Sequence, residues 1–91
     1  MLIFYILYSI DYASKDLREQ DMSNQNFAGK DFTQCDGTGA NFRGSKLAGA
    51  RFYKARLERA DFTKADMVGT SLEDTLLLDA TFDGANMQVN Q

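Results

Sequence analysis

The chain has 91 residues, of which 44% are apolar, 25% charged and 12% aromatic, and its formal net charge is -3. This length allows one domain, which buries only about 60–65% of its unfolded surface. The sequence has no His and a single Cys, which excludes a disulfide framework, a Cys/His zinc site and the His-dependent catalytic triads. Composition therefore disfavours most enzymes, and the acidic balance argues against a general nucleic-acid binder.

The chain begins with the apolar run MLIFYILYSIDY, residues 1–12. This run is about half the ~20 residues that span a bilayer, so no membrane span is predicted. It is similar to the apolar core of a secretory signal, but no Lys or Arg precedes it and no cleavage site follows. It either covers the start of the domain, belongs to an incomplete start, or is the remnant of a targeting sequence. We assign residues 1–14 to an apolar N-terminal segment and residues 15–91 to a repeat domain.

A five-residue period runs through the repeat domain. Fourteen of the fifteen positions reached by stepping five residues from Leu17 are Leu, Met or Phe. These central positions are Leu17, Met22, Phe27, Phe32, Gly37, Phe42, Leu47, Phe52, Leu57, Phe62, Met67, Leu72, Leu77, Phe82 and Met87. From Cys35 onward, the residue two places before each centre is always small. Asp or Asn dominates the place before the centre, and six of the seven glycines lie two places after it.

A period of five fits neither regular element. On an α-helix, successive centres lie about 140° apart and form no stripe. On a strand, an odd step moves the side chain to the opposite face. The chain must therefore turn a corner in every repeat, with glycine suited to the corner because it accepts positive φ. The sequence predicts a narrow solenoid with one large and one small inward residue per repeat.

These motifs resemble the pentapeptide-repeat family, whose pattern is A-(D/N)-L-x-x. The match is clearest at residues 40–44 (ANFRG), 60–64 (ADFTK), 65–69 (ADMVG) and 85–87 (ANM). The resemblance implies an all-β fold, a right-handed quadrilateral β-helix of about four coils with four repeats per coil. Residues twenty apart then lie above one another at ~4.8 Å. The implied ladders are Tyr12/Phe32/Phe52/Leu72, Leu17/Gly37/Leu57/Leu77, Met22/Phe42/Phe62/Phe82 and Phe27/Leu47/Met67/Met87.

Two places depart from this stacking. Gly37 stands where a large residue is expected, which predicts a void or a distorted coil. In the first coil the small inward positions hold Lys15, Gln20, Gln25 and Lys30. Burial of a lysine ammonium without a partner is costly, so these side chains should escape at an open end. We expect the first coil to be an edge, less regular than the others.

Charge is segregated along the chain. Residues 43–64, which we call the belt, carry seven cations and two acids, whereas residues 65–91 carry five acids and no cation. With Phe52 and Tyr53 the belt suggests a nucleic-acid groove. The implied stacking favours structural ion pairs instead, each worth about 0.2–1 kcal/mol when exposed. The predicted pairs are Asp31–Arg51, Asp36–Arg56, Lys54–Asp74 and Arg59–Asp79.

Catalytic and ligand sites are not indicated. Cys35 occupies a small inward position without a base nearby in sequence, so a structural role is predicted. The recurring Asp and Asn side chains are expected to bond to corner backbone groups, as in Asx turns. A calcium site between Asp16 and Asp36, or between Asp11 and Asp31, is a weaker alternative. We predict no catalytic residue, no cofactor, no metal and no small-molecule substrate.

The stretch Thr75–Asp79 contains three consecutive leucines. If Leu77 points inward, Leu76 and Leu78 point outward beside a bare solenoid end. We predict that these leucines, with Arg51, Tyr53, Lys54 and Arg56, form an interaction surface. The expected partner is another protein, or a second copy bound through the uncapped end. The alternatives are contact with a missing C-terminal segment and simple exposure of the leucines.

The preferred function is a non-catalytic scaffold or protein-interaction module. The resemblance raises an alternative, because some family members mimic DNA and protect gyrase with an acidic surface. This chain departs from that pattern, since cations surround its middle. The stretches Lys15–Leu17 and Thr70–Thr75 are similar to members from the chloroplast thylakoid lumen, which is the preferred location, with the cytoplasm as the alternative.

Overall fold

The computed structural model describes residues 11–88. Within this stretch the structure contains neither a helix nor an extended strand; each repeat contributes one isolated parallel β-bridge residue followed by a two-residue turn. Every bridge joins residues twenty apart, from Asp16 with Asp36 to Asp66 with Asn86. Stacked residues are therefore four repeats apart, as the resemblance to the pentapeptide-repeat family implied.

A turn in each repeat bends the backbone, and a backbone hydrogen bond closes the turn in every repeat from Tyr12 to Phe82 except the one centred on Met22. In the first complete repeat, the Gln20 amide donates to the Leu17 carbonyl over 3.1 Å, and Glu19 has a φ of 60°. A positive φ confined to the third turn residue is typical of a type II turn. All fifteen corner positions from Ser14 to Gly84 have positive φ, yet only six of them are glycine. Polar residues such as Asn24 and Lys54 thus adopt the left-handed conformation at the other corners.

The large inward residues stack as aromatic ladders. Phe32 lies between Tyr12 and Phe52, with ring centroids 4.8 and 4.6 Å away and nearly parallel planes. A second stack contains Phe42, Phe62 and Phe82 at 5.1 and 5.2 Å. Rings of the two stacks meet edge to face, which is the favoured geometry for neighbouring aromatic side chains. The predicted ladders that contain these rings are confirmed.

The small inward residues complete the core. From Cys35 to Ala65 every residue at this position is buried. Ser45 is the polar member of the buried set, and its hydroxyl donates to the Phe42 carbonyl over 2.7 Å. In the first coil, residues 11–30, the side chains of Lys15, Gln20, Gln25 and Lys30 are exposed, as predicted. The backbone of that coil nevertheless keeps the same turns and bridges as the later coils.

The predicted boundary near residue 14 falls at the start of the described chain. Tyr12 already stacks on Phe32, and the Asp11 carboxylate accepts a hydrogen bond from the Asp31 amide over 3.0 Å. The predicted cap formed by the apolar segment lies mainly in residues 1–10, outside the described residues. The assignment of residues 1–14 to a separate segment stays a prediction.

Gly37 does not distort the solenoid. Its φ is not positive, its amide bonds to the Arg56 carbonyl over 2.6 Å, and Asp36 keeps its bridge to Arg56. A Cβ atom built on Gly37 would lie 2.7 Å from Cδ2 of Leu57. The Leu57 side chain therefore reaches into the layer of Gly37 and occupies part of the space that the missing side chain leaves.

We expect Gly37→Leu to raise the free energy of unfolding by about 1 kcal/mol. The new side chain gains burial and lowers the entropy of the unfolded chain, and these gains exceed the cost of moving Leu57 back into its own layer. Urea denaturation measures the change. Gly49→Leu is the control and should destabilise, because Gly49 has a φ of 73° that leucine rarely adopts. A loss of stability in Gly37→Leu would show that Leu57 cannot withdraw.

Gln34→Gly tests the strain at the non-glycine corners. Gln34 has a φ of 59°, is exposed and makes no side-chain hydrogen bond to a described residue. Relief of the left-handed strain, about 1–2 kcal/mol, should exceed the entropy cost of glycine and raise the melting temperature. Ala48→Gly, at the preceding turn position in another repeat, should lower it. Equal losses in both variants would contradict the strain argument.

Candidate interaction surface

The predicted interaction residues lie on two neighbouring faces. Face 1 is formed by the repeats centred on Tyr12, Phe32, Phe52 and Leu72, and face 2 by those centred on Leu17, Gly37, Leu57 and Leu77. Face 1 carries Arg51, Tyr53 and Lys54, whereas face 2 carries Arg56, Leu76 and Leu78. The six predicted residues thus lie on two adjacent faces, three on each, with Leu76 and Leu78 one coil beyond the other four.

Leu76 and Leu78 are the most exposed large apolar side chains of the described residues. Their exposed fractions are 53% and 73%, whereas Leu77 between them packs against the core. Leu76 stacks on Arg56, its bridge partner in the preceding coil. Tyr53 on face 1 is 36% exposed, and the Lys54 ammonium lies 5.2 Å from the centre of its ring. The two faces therefore combine apolar and cationic groups.

Asp and Asn side chains cap the turns throughout the described chain. In nine repeats, Oδ1 of the residue before the centre accepts a hydrogen bond from the amide two residues later. Four neighbouring Ser or Thr hydroxyls donate to the same oxygens. The predicted Asx turns are confirmed. These side-chain carboxylates and carboxamides therefore stabilise the turns of the solenoid.

The belt forms ion pairs, although only one predicted pair is right. Arg51 contacts Asp31 at 3.1 Å, as predicted. The predicted ion pairs Asp36–Arg56, Lys54–Asp74 and Arg59–Asp79 are not formed. Arg56 instead pairs with Glu58 of its own turn at 3.2 Å, because a neighbouring turn residue lies within easier reach than the coil before it.

Arg59 reaches across two coils. Its guanidinium contacts Glu19, forty residues earlier, at 3.1 Å. The Glu19 carboxylate lies over Gly39, in the volume that a Cβ atom would fill. The absence of a side chain at Gly39 therefore allows this pairing in place of the predicted one with Asp79. With Thr38 and Arg18 these groups line a shallow polar groove on face 2. The glycine at the intervening corner was the sequence signal for this longer reach.

Hydrogen bonds control the acidity of the best-bonded carboxylate. Partial burial raises the pKa of Asp61. Hydrogen bonds from Thr63 and Arg43 lower this pKa by more than burial raises it, so the pKa lies well below the usual range of an aspartate. The Thr63 hydroxyl and the Arg43 guanidinium lie 2.6 and 3.0 Å from the carboxylate oxygens. Asp61 is consequently held as an anion and is unsuited to exchange protons near neutral pH.

Cys35 is a core residue. Its side chain is fully buried, and burial, with a smaller contribution from Asp36, raises the pKa of the thiol to about 12. A thiol at neutral pH is a poor nucleophile. The structural role predicted for Cys35 is therefore favoured over a reactive one.

The described residues offer little that could hold a metal ion. Asp16 and Asp36 lie in adjacent coils, but Asp16 pairs with Arg18 at 2.8 Å and Asp36 accepts two bonds from Thr38. Residues 11–88 contain no cluster of three Cys, Asp or Glu side chains with metal-site geometry. Within the same range, no helix is long and apolar enough to cross a membrane.

The last coil, residues 70–88, differs from the inner coils. Its large inward side chains are only partly buried, and Met87 is 39% exposed. Four acidic side chains, at residues 73, 74, 79 and 83, are exposed here, and the coil contains no cation. None of the four forms an ion pair with a described residue. The outward surface of this coil is therefore negative, and its inward side chains are less buried than those of the inner coils.

The chain belongs to the pentapeptide-repeat family. The family model for pentapeptide repeats matches eight copies, over residues 16–53, 40–77 and 55–88. No curated protein matches the chain. Members of the family fold as right-handed quadrilateral β-helices, which agrees with the turns and bridges described above.

Several solved structures are similar to the chain. Rfr23 of the cyanobacterium Cyanothece is 28% identical with a TM-score of 0.83, over 86% of this chain and 54% of that one. A pentapeptide repeat protein of the Arabidopsis thaliana thylakoid lumen is 31% identical with a TM-score of 0.61, over 87% and 59%. HetL of the cyanobacterium Nostoc, involved in heterocyst differentiation regulation, is 26% identical with a TM-score of 0.72, over 92% and 44%. The chain thus spans about half the length of these relatives.

The carboxylate of Asp61 predicts acid sensitivity. Because its pKa in the folded protein is below the unfolded value of about 3.9, its contribution to stability is complete above pH ~4 and is lost as the pH falls below that. We expect the free energy of unfolding to decrease between about pH 4 and pH 2, and Asp61→Asn to flatten this decrease. Urea titrations at each pH measure it.

Asp83→Asn provides the matched control for this experiment. Its carboxylate accepts no hydrogen bond from a described residue and lies on the same face as Asp61. This variant should retain the slope of the original chain. Equal slopes for Asp61→Asn and Asp83→Asn would contradict the role given to the Asp61 hydrogen bonds.

Proposed function

We propose that the chain is a non-catalytic scaffold, a right-handed quadrilateral β-helix of about four coils, that binds another protein through faces 1 and 2. The binding surface consists of Leu76 and Leu78 flanked by four residues of the belt. These four are Arg51, Tyr53, Lys54 and Arg56. The observation that carries the proposal is the exposure of two adjacent leucines on a face that is otherwise polar. Exposed apolar patches rimmed by polar groups mark interaction sites.

The use of polar groups inside the scaffold supports a non-catalytic role. Nine Asx turns occupy the recurring Asp and Asn side chains, and the buried Cys35 thiol has a pKa of about 12. General acid–base catalysis needs groups with a pKa near the working pH and within reach of a substrate. The Asp61 carboxylate, whose pKa is lowered, and the buried Cys35 thiol, whose pKa is raised, do not meet these conditions.

Ion pairing within the belt argues against nucleic acid as the partner. All four arginines of the belt, at residues 43, 51, 56 and 59, already contact carboxylates. A phosphate backbone would have to compete with these carboxylates. The same cations interrupt the acidic surface, which weakens the alternative of a DNA mimic that regulates a topoisomerase such as gyrase.

Electrostatics also bear on self-association through the last coil. A two-fold contact between two copies would oppose the acidic rims, including Glu73, Asp74 and Asp79. Like charges that face each other destabilise an interface. We therefore favour a different protein over a second copy as the partner. A thylakoid-lumen location stays a prediction, supported by the likeness to the lumenal Arabidopsis protein.

Selection of ligands from a random peptide library tests the proposal. The immobilised chain should enrich peptides whose binding is lost in the double variant Leu76→Ser, Leu78→Ser, because the apolar contact area is removed. Arg56→Ser should weaken the charged contacts to a smaller degree. Val68→Ser is the matched control, since it makes a similar change at a half-buried turn position on another face. The proposal fails if no peptide is enriched or if every enriched peptide binds the double variant equally well.

A further inference from the structure

A further face of the solenoid, face 4, carries an ordered column of polar groups. Face 4 is formed by the repeats centred on Phe27, Leu47, Met67 and Met87. Its outward bridge positions in successive coils are Asn26, Lys46, Asp66 and Asn86, and all four are exposed. The column therefore has the order amide, cation, anion, amide. Its two charges lie in inner coils, because Lys46 and Asp66 each have a described coil on either side.

Neither charge of this column is used inside the described chain. Lys46 and Asp66 occupy bridged positions in adjacent coils, yet neither forms an ion pair with a described residue. Asp66 accepts one hydrogen bond, from the Val68 amide to Oδ1 over 3.3 Å. On faces 1 and 2, by contrast, the cations of the bridge column are Arg51 and Arg56, and both already contact carboxylates. Face 4 thus offers an exposed cation and an exposed anion one coil apart.

The surroundings of the column are low enough for another surface to approach it closely. The next outward residues in the first three coils are Ala28, Ala48 and Val68. At the corner before the column, a Cβ atom built on Gly84 would lie 3.3 Å from Cγ of Lys64, and one on Gly44 would overlap Oδ1 of Asn24. These two corner side chains therefore extend along the rod. Packed sheets lie about 10 Å apart, a distance that a lysine and an aspartate together can span.

We propose that face 4 binds a second copy of the chain, with the two rods antiparallel. The two-fold axis runs along the backbone direction of the face, between the coils of Lys46 and Asp66. Such an axis reverses the order of the coils and keeps each outward column opposite itself. Lys46 of each copy then faces Asp66 of the other copy. Asn26 faces Asn86, and each carboxamide can both donate and accept a hydrogen bond.

Charge complementarity identifies a second copy as the occupant. The order amide, cation, anion, amide is its own complement when it is reversed, so two ion pairs form in one symmetric contact. With parallel rods, Lys46 would face Lys46 and Asp66 would face Asp66, and like charges that face each other destabilise an interface. Face 4 lies opposite face 2, so this contact leaves Leu76 and Leu78 accessible. It is independent of the proposed function, which concerns a different protein bound to faces 1 and 2.

The size of the face determines the strength of the contact. Four coils span about 19 Å along the rod and the face is about 15 Å wide with its corners, so each copy covers roughly 300 Å² of the other. A stable complex buries about 800 Å² on each partner. We therefore expect a reversible dimer with a dissociation constant of about 1 mM.

Translational diffusion of the full chain, measured by NMR at low salt, tests the proposal. The diffusion coefficient should fall as the protein concentration rises from about 0.05 to 3 mM, and it should fall less at about 0.3 M salt, because the paired charges are exposed. Lys46→Glu alone, or Asp66→Lys alone, should abolish the concentration dependence. Each substitution places like charges opposite each other at both ion-pair positions.

A charge swap provides the matching gain. An equimolar mixture of Lys46→Glu and Asp66→Lys should dimerise again, since both facing pairs then have opposite signs, and this recovery also requires both variants to be folded. The double variant Lys46→Glu, Asp66→Lys should dimerise by itself. Lys15→Glu and Asp83→Lys are controls with the same changes in net charge, and neither residue lies on face 4. Both controls should associate like the original chain.

The outcomes decide between this contact and the surface on faces 1 and 2. A diffusion coefficient that is independent of concentration in the original chain overturns the proposal, as does unchanged association of either single variant. Absence of recovery in both the mixture and the double variant overturns the antiparallel arrangement. Association that is lost only in Leu76→Ser, Leu78→Ser assigns self-association to face 2 and rejects face 4. Peptide selection on faces 1 and 2 is a separate measurement, so the proposed function can stand or fail independently.

Discussion

The structure depends on one constraint, a left-handed corner at every fifth residue. All but one of the corners are closed by a backbone hydrogen bond, and four corners bring the chain back above its starting point. Every inward side chain then stacks on the residue twenty places away at about the strand spacing of 4.8 Å. A core of this kind cannot widen to admit extra volume. This explains why large inward positions are restricted to Leu, Met and Phe and why the alternate positions are small.

The same constraint determined which features the sequence could predict. The core ladders and the Asx turns involve short side chains that repeat with the period, so their neighbours follow from spacing alone. Tyr12 on Phe32 and Thr63 on Asp61 are examples, one across coils and one within a turn. The corner conformation was predicted from glycine, yet nine corners lack it. Backbone closure dominates local preference there, because each corner has to bend for the coil to close.

Long surface side chains were harder to predict for a physical reason. A guanidinium can reach carboxylates in its own turn, in the next coil or two coils away, and exposed pairs differ by less than about 1 kcal/mol. Arg56 and Arg59 illustrate the first and last choices. Gly37 shows the related difficulty in the core, where Leu57 tilts into space that the period reserves for another residue. The spacing of residues in the sequence identifies which side chains are neighbours, but it does not determine which rotamer each side chain adopts.

Most polar groups of the solenoid form internal hydrogen bonds or ion pairs, and this limits which surface can bind a partner. Nine outward Asp or Asn side chains cap turns, most amides of the inner coils bond to a carbonyl, and all four arginines of the belt contact carboxylates. A partner that engages Arg51 or Arg56 has to compete with the carboxylates that these guanidiniums already contact. Leu76 and Leu78 take no part in these polar contacts, and their exposed fractions are 53% and 73%. Apolar contact with these two leucines therefore leaves the hydrogen bonds and ion pairs of the scaffold intact, and the belt residues Arg51, Tyr53, Lys54 and Arg56 provide the polar rim of that contact.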